Sequence, residues 1–230
     1  WYAVDCEGKT LWLSASRVVA VVTGGGQSDV PDPLRNLRGV HWAPAVNNPP
    51  GDRGEWDYWR DELKSLKIGW IKLLDTDNPN DTGILEFAKF WKANGVEPVI
   101  RFFVGPMYPD NLPQGCFTKM ERFAAAGIRR MEIGNEPNLH WEWKSGALPD
   151  PPVISFNDAA VALVADRWLA DAEETVRRGC WPAFPALSPT DWHNGVHPTF
   201  SSVEMYRRAF RHYASNPALA DRFRRVRTQL

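Results

Sequence analysis

From residue 39 onward the chain alternates short apolar runs with longer stretches in which apolar side chains recur every three or four positions. The runs predict buried strands and the spaced stretches predict amphipathic helices. Residues 39–43 (GVHWA) form the first predicted strand. Residues 56–67 (WDYWRDELKSLK) follow, with Trp56, Trp59, Leu63 and Leu66 on one helical face. Residues 68–75 (IGWIKLLD) make a second strand. A helix over 81–94 comes next, with Asp81 as N-cap and Gly95 just past its end. Residues 96–104 (VEPVIRFFV) predict a third strand, 117–126 a helix ended by Gly127, and 129–134 (RRMEIG) a fourth strand. A long helix over 157–178, capped by Asn157 or Asp158, leads to a weaker fifth strand at 183–188. A helix over 201–214, capped by Ser201 or Ser202, follows it. Strand and helix thus alternate at intervals of roughly thirty residues, the size of a βαβ unit. That rhythm predicts an α/β fold with a parallel sheet.

The first predicted strand is followed by WAPAVNNPPGDRGEW, which lacks the GxGxxG turn usual in a doubly wound dinucleotide fold. The expected architecture is therefore a (β/α)8 TIM barrel. Such a barrel needs eight units and about 250 residues, whereas 38–230 supplies about five units, so the barrel is expected to be incomplete. The basic tail DRFRRVRTQL, residues 221–230, lacks the apolar run of a sixth strand. An incomplete barrel leaves open sheet edges, so the chain is expected to be poorly soluble or oligomeric.

Residues 1–22 follow a different pattern. Two alternating stretches flank Glu7-Gly8-Lys9, the signal of a short hairpin. Residues 23–37, opening with TGGGQSDVPDP, read as a Gly/Pro-rich linker. Twenty-two residues are too few to bury a core alone. WYAVDCEGKTLWLSASRVVAV resembles the last strands of a bacterial Src-homology-3-like domain, with its Trp-x-x-Val strand, Gly turn, second Trp and Ser-Ala-Ser. The resemblance implies a module of secreted or cell-envelope proteins that binds wall or peptide ligands. An unrelated hairpin is the alternative.

Composition narrows the partners. Lys plus Arg number 27 and Asp plus Glu 28, a net charge of −1. That balance offers no footprint for nucleic acid or an anionic membrane. No apolar run approaches the ~18 residues that suggest a membrane span. The 12 tryptophans exceed the 11 phenylalanines and must serve a core, a binding surface or both. Cys6, Cys116 and Cys180 lie far apart without CxxC spacing, so free thiols are expected rather than a zinc site. Residue 1 is Trp, which reads as a fragment or a processed product. The lack of a targeting segment therefore carries no information on location. No HExxH, Walker or EF-hand pattern occurs, and no metal or nucleotide cofactor is implied.

The chemistry concentrates at Ile133-Gly134-Asn135-Glu136-Pro137-Asn138, where the fourth strand ends. In a barrel, strand C-termini face the active site. Pro137 stops the strand and lifts Asn135 and Glu136 to the rim. A Glu there can give and take a proton, and the neighbouring amide can bond a substrate hydroxyl. Together with GVHWAP, WIKLLD and VIRFFVGP on the earlier strands, this resembles the clan A glycoside hydrolases, retaining TIM-barrel enzymes marked by Asn-Glu-Pro after the fourth strand. The resemblance covers roughly residues 38–213. It implies Glu136 as general acid/base, Asn135 as a contact to the sugar hydroxyl beside the anomeric carbon, and a carbohydrate substrate. A retaining site also needs a second carboxylate ~5–5.5 Å away. The family's nucleophile is a Glu after strand seven. No residue here can be named for it, so the chain as it stands is expected to be inactive. A solvated strand-ending Glu136 is the bland alternative.

Around that motif, His41 is read either as lining the sugar site or as a hydrogen-bonded structural residue, and Trp42 as a sugar-stacking ring or barrel packing. Asp75 either binds sugar hydroxyls or caps its loop. Trp141 and Trp143 suit an aromatic wall or rim packing, and Ser188, Asp191, Trp192 and His193 follow the fifth strand. Lys72 and Arg101 lie mid-strand in apolar contexts, where bare charge is costly. Glu132 is expected to pair with one of them inside the sheet. Trp56, Trp59, Trp91 and Trp168 are expected to pack helices on strands. Rival readings are a non-catalytic carbohydrate- or wall-binding protein with a degenerate barrel, and an aldolase or isomerase. The latter lacks a Schiff-base lysine at a strand end, since Lys72 comes too early.

Overall fold

A computed structural model describes residues 2–6, 9–13, 38–42, 53–105, 107–144, 158–188 and 202–227. Two short strands, β1 (Tyr2–Cys6) and β2 (Lys9–Leu13), pair antiparallel as the expected hairpin. The linker over 23–37 and most of the region around it lie outside the described residues.

The remainder is an α/β unit. Its strands are β3 (Gly39–Trp42), β4 (Trp70–Asp75), β5 (Glu97–Phe102), β6 (Arg130–Glu132) and β7 (Trp181–Ala183). They pair in parallel in the order β3-β4-β5-β6-β7. Helices α1 (Arg53–Ser65), α2 (Gly83–Ala93), α3 (Gln114–Ala125) and α4 (Asp158–Arg177) connect successive strands, and α5 (Ser202–Ser215) and α6 (Pro217–Arg227) follow β7. Among the described residues strand order equals sequence order, without the reversal that a doubly wound sheet shows at its switch point.

Side chains alternate across the sheet. Ile71, Leu73, Ile100, Phe102 and Met131 share one face and are essentially inaccessible beneath the helices. The expected indole packing is present there: Trp91 and Trp168 are buried, and Trp56 lies 5.0 Å from the Phe87 ring. Trp42 belongs to this face, edge-on to Trp59 at 5.2 Å and to Phe87 at 5.6 Å. The sugar-stacking reading of Trp42 is thereby corrected. A residue two before or after an inward apolar position shares its face, and Trp42 follows Val40 into the helix layer.

Asp75 is corrected in the same way. It follows Ile71 and Leu73 on the covered face, is 0% exposed, and bonds Lys119 Nζ at 2.6 Å. Its Oδ1 also accepts the Thr76 N–H at 2.8 Å, so the loop-capping half of the expectation holds. Burial pushes its carboxyl up from 3.8 to about 6, against the pull of Lys119.

Other differences are local. Asp81 caps α2 by accepting the Gly83 N–H at 2.9 Å, two residues before the helix begins. The fifth strand lies earlier than expected, with 184–188 outside the ladder and without regular structure. Pro182 lowers the strand signal there, yet Pro is tolerated where one side of a strand is unpaired. The basic residues of 221–227 belong to α6, with Val226 buried against the core. Cys116 and Cys180 are buried free thiols.

Lys119→Met should leave the Asp75 charge buried without its partner. We expect a loss of about 3–5 kcal/mol at pH 8. Native Asp75 holds its proton to higher pH than the unfolded chain does, so its contribution to stability falls as pH rises from about 4 to about 6. The variant's deficit should therefore shrink at pH 5, where Asp75 protonates. Urea titrations at both pH values check this, and an equal deficit at each would refute it.

Candidate functional site

The face of the sheet opposite the helices carries charge. In register, Leu74, Arg101, Glu132 and Ala183 form one row across β4 to β7, and Lys72, Val99, Arg130 and Trp181 form the row below. Glu132 accepts from Lys72 Nζ at 2.7 Å and lies 3.8 Å from Arg101 Nη1, so the expected pairing forms with both cations. Lys72 reaches Glu132 across the intervening strand, where the small Val99 leaves room. His41 lies in register with Lys72 on this face and is exposed, whereas Trp42 is turned away.

β6 stops at Glu132, and the next four residues make the turn that carries the candidate acid. Gly134 has φ +91°, and a Cβ there would sit 2.4 Å from the Tyr108 hydroxyl, so only glycine fits. Glu136 has φ +28°, a strained value for a residue with a Cβ. The surroundings hold it there. Its N–H bonds the Ala186 carbonyl at 3.0 Å, and its carbonyl accepts the Leu139 N–H at 2.9 Å. Asn138 is fully buried and clamps the turn to the segment after β7. Its Nδ2 donates to the Ser188 carbonyl at 2.9 Å and its Oδ1 accepts the Ser188 N–H at 3.0 Å. Ser188 is thus buried in a structural role. Asp191, Trp192 and His193 lie outside the described residues.

Asn135 is gripped from two sides. Its Oδ1 accepts from Arg101 Nη1 at 2.6 Å and its Nδ2 donates to Glu142 Oε1 at 2.6 Å. Glu142 closes a short 3-10 turn, His140–Glu142, that leaves the strand. The two indoles flanking it diverge. Trp141 is 48% exposed, whereas Trp143 is buried, donates to the Pro137 carbonyl at 2.9 Å and packs on Tyr108 at 5.5 Å. The aromatic-wall reading is therefore corrected for Trp143, whose buried indole N–H is satisfied only by facing inward. Phe103, just past β5, is 47% exposed.

Glu136 is half-buried, and desolvation raises its carboxyl above the ordinary range, while Arg101 and Lys72 pull it down and Glu132 pushes it up. Glu142 is likewise raised by burial, lowered by the Asn135 bond and raised by the charge of Glu136. The arrangement is a half-buried acid beside fixed cations and an oriented amide, suited to holding a proton for transfer. Sequence reasoning singled out Glu136, Asn135 and the Glu132 pairings but missed Glu142 as a partner of Asn135. The available signal was an acidic residue between two indoles in the segment that follows the Asn-Glu-Pro turn.

Behind the turn, Arg167 and Asp171 of α4 form a buried pair at 3.2 Å. Asp171 also accepts from Asn111 Nδ2 at 2.8 Å and the Leu112 N–H at 3.1 Å, and the Arg167 guanidinium lies 4.7 Å from the Tyr108 ring centroid. This fixes the loop between β5 and α3 against the Asn-Glu turn. Among the described residues no cluster of three or more His, Cys, Asp or Glu could hold a metal ion, and no helix is long and apolar enough to cross a membrane.

No family model matches this sequence, and no curated protein matches it.

Asn138→Ala should remove both bonds to Ser188 and cost about 0.5–1.5 kcal/mol for each. Asn138→Asp keeps an acceptor for the N–H but sets a buried carboxylate oxygen against the Ser188 carbonyl, so at pH 7 it should cost at least as much as Ala. Chemical unfolding of the three proteins checks the order; a shift under ~0.5 kcal/mol for Ala, as at an ordinary surface site, would refute the clamp.

Proposed function

We propose that this chain carries the first five units of a (β/α)8 barrel of the clan A glycoside hydrolase type, cleaving O-glycosidic bonds of a carbohydrate substrate by retaining double displacement. The observation that carries the reading is Glu136, strained, half-buried and raised above the carboxylate range at the C-terminal end of the fourth strand of a sequentially ordered parallel sheet. A carboxyl shifted in that direction favours its protonated form, and in that form it can protonate the leaving glycosidic oxygen and then take a proton from water. Asn135, beside it, supplies a hydrogen-bonding group for a sugar hydroxyl. His41, Phe103 and Trp141 are exposed near strand ends, and the two aromatic rings offer flat surfaces to a pyranose. The nucleophile belongs to a later barrel strand, and no described residue is assigned to it.

The hairpin β1–β2 supports reading residues 1–22 as the end of a bacterial Src-homology-3-like module, with a cell-envelope or secreted setting and a wall ligand. A non-catalytic carbohydrate-binding barrel is the competing reading.

Glu136→Gln decides between them. In the product of the complete reading frame, hydrolysis of alkyl β-glycosides, whose leaving groups need protonation, should fall about 10²–10⁴-fold while glycan binding persists. Unchanged hydrolysis would sink the assignment of Glu136. Glycan binding without hydrolysis in the wild type would establish the binding reading instead.

A further inference from the structure

The Asn135 amide has four hydrogen-bonding positions, two lone pairs on Oδ1 and two protons on Nδ2. One lone pair is taken by Arg101 and one proton by Glu142, each at 2.6 Å. These partners permit a single orientation. Rotating the amide by half a turn would set its NH2 against a guanidinium, which only donates, and its oxygen against a carboxylate, which only accepts. Both contacts would become repulsive.

We infer that Glu142 is a positioning residue of this site: acting through Asn135, it fixes the amide so that a donor N–H, rather than the carbonyl oxygen, is what remains on the Nδ2 side for a substrate hydroxyl. The inference rests on the proposed roles of Glu136 and Asn135 and adds a residue that the Asn-Glu-Pro motif does not contain. A hydroxyl oxygen beside the anomeric centre would then accept from Asn135, and its own proton would have to find another acceptor. The site thereby selects sugars that carry a hydroxyl at that position.

The backbone of Glu142 is anchored independently of its carboxyl. Its carbonyl accepts the Met107 N–H at 3.0 Å and the Tyr108 N–H at 3.2 Å, and its own N–H bonds the Leu139 carbonyl at 3.2 Å. Changes to the side chain should therefore leave the turn in place. The charge of Glu136 raises the Glu142 carboxyl.

The test is NMR on the 230-residue chain. In Glu142→Ala, hydrogen exchange of the Asn135 Nδ2 protons should accelerate about tenfold or more, the effect of losing one charge-assisted bond. Glu142→Gln, which keeps an acceptor oxygen, should restore most of the protection. A merely structural Glu142 would leave the exchange of the Asn135 amide protons unchanged. Where alkyl β-glycosides are hydrolysed by the full-length protein, Glu142→Ala should lower kcat/KM for a 2-hydroxy sugar more than for its 2-deoxy analogue. Wild-type exchange rates in Glu142→Ala would overturn the inference. If exchange responds while Glu136→Gln leaves hydrolysis unchanged, the positioning role stands and the hydrolase reading fails.

Discussion

Arg101 ties the sheet to the turn that carries the candidate chemistry. Its guanidinium stands 3.8 Å from Glu132 within the strand row and donates to Asn135 at 2.6 Å above it. A cation in a half-buried, largely apolar strand is costly unless compensated, and Glu132 supplies the compensation while also taking Lys72 at 2.7 Å. One carboxylate thus holds two cations on neighbouring strands, and one of those cations orients the amide next to Glu136. Loss of Glu132 would leave Lys72 and Arg101 facing each other. The geometry at the strand ends depends on that three-charge arrangement more than on any residue at the mouth itself.

The covered side of the sheet contributes through two further buried pairs. Asp75 with Lys119 ends β4, and Arg167 with Asp171 braces the loop after β5. Pairs buried this deeply contribute little net stability, because desolvation offsets much of the attraction, but either partner alone is strongly unfavourable. Each pair therefore specifies where its loop must lie. Asp171 holds Asn111 and Leu112, while Arg167 lies over Tyr108, whose hydroxyl crowds Gly134. A continuous set of contacts runs from the middle of α4 to the residue before Asn135.

The alternating pattern made the parallel sheet legible, because apolar runs of strand length separated by helical periodicity have few other solutions. It also made the Glu132 pairings legible, since mid-strand charges on one face must find each other. Reading failed where face assignment needed the exact end of a strand. Asp75 and Trp42 were placed at the mouth because they are last in their strands, yet alternation sends both into the helix layer. Trp181 and Pro182 hid the last described strand, for one is bulky and the other lacks an N–H, while the apolar residues after them mimicked a strand without entering the ladder. The bond between Asn135 and Glu142 was invisible for a different reason. It depends on the positive φ at Gly134 and Glu136, which periodicity does not encode.

That backbone also bears on whether Glu136 is merely a solvated residue ending a strand. A solvated Glu gains nothing from a left-handed conformation that costs on the order of 1–3 kcal/mol. The turn is nonetheless held in it by the bonds at Ala186 and Leu139, the two-way clamp between Asn138 and Ser188, and the Trp143 indole on the Pro137 carbonyl. These contacts fix the turn on both flanks of Glu136. A backbone so thoroughly constrained fixes the point from which the Glu136 side chain extends. Without that fixity a proton donor would have to be reoriented at each encounter, and the entropy of that search would be added to the barrier.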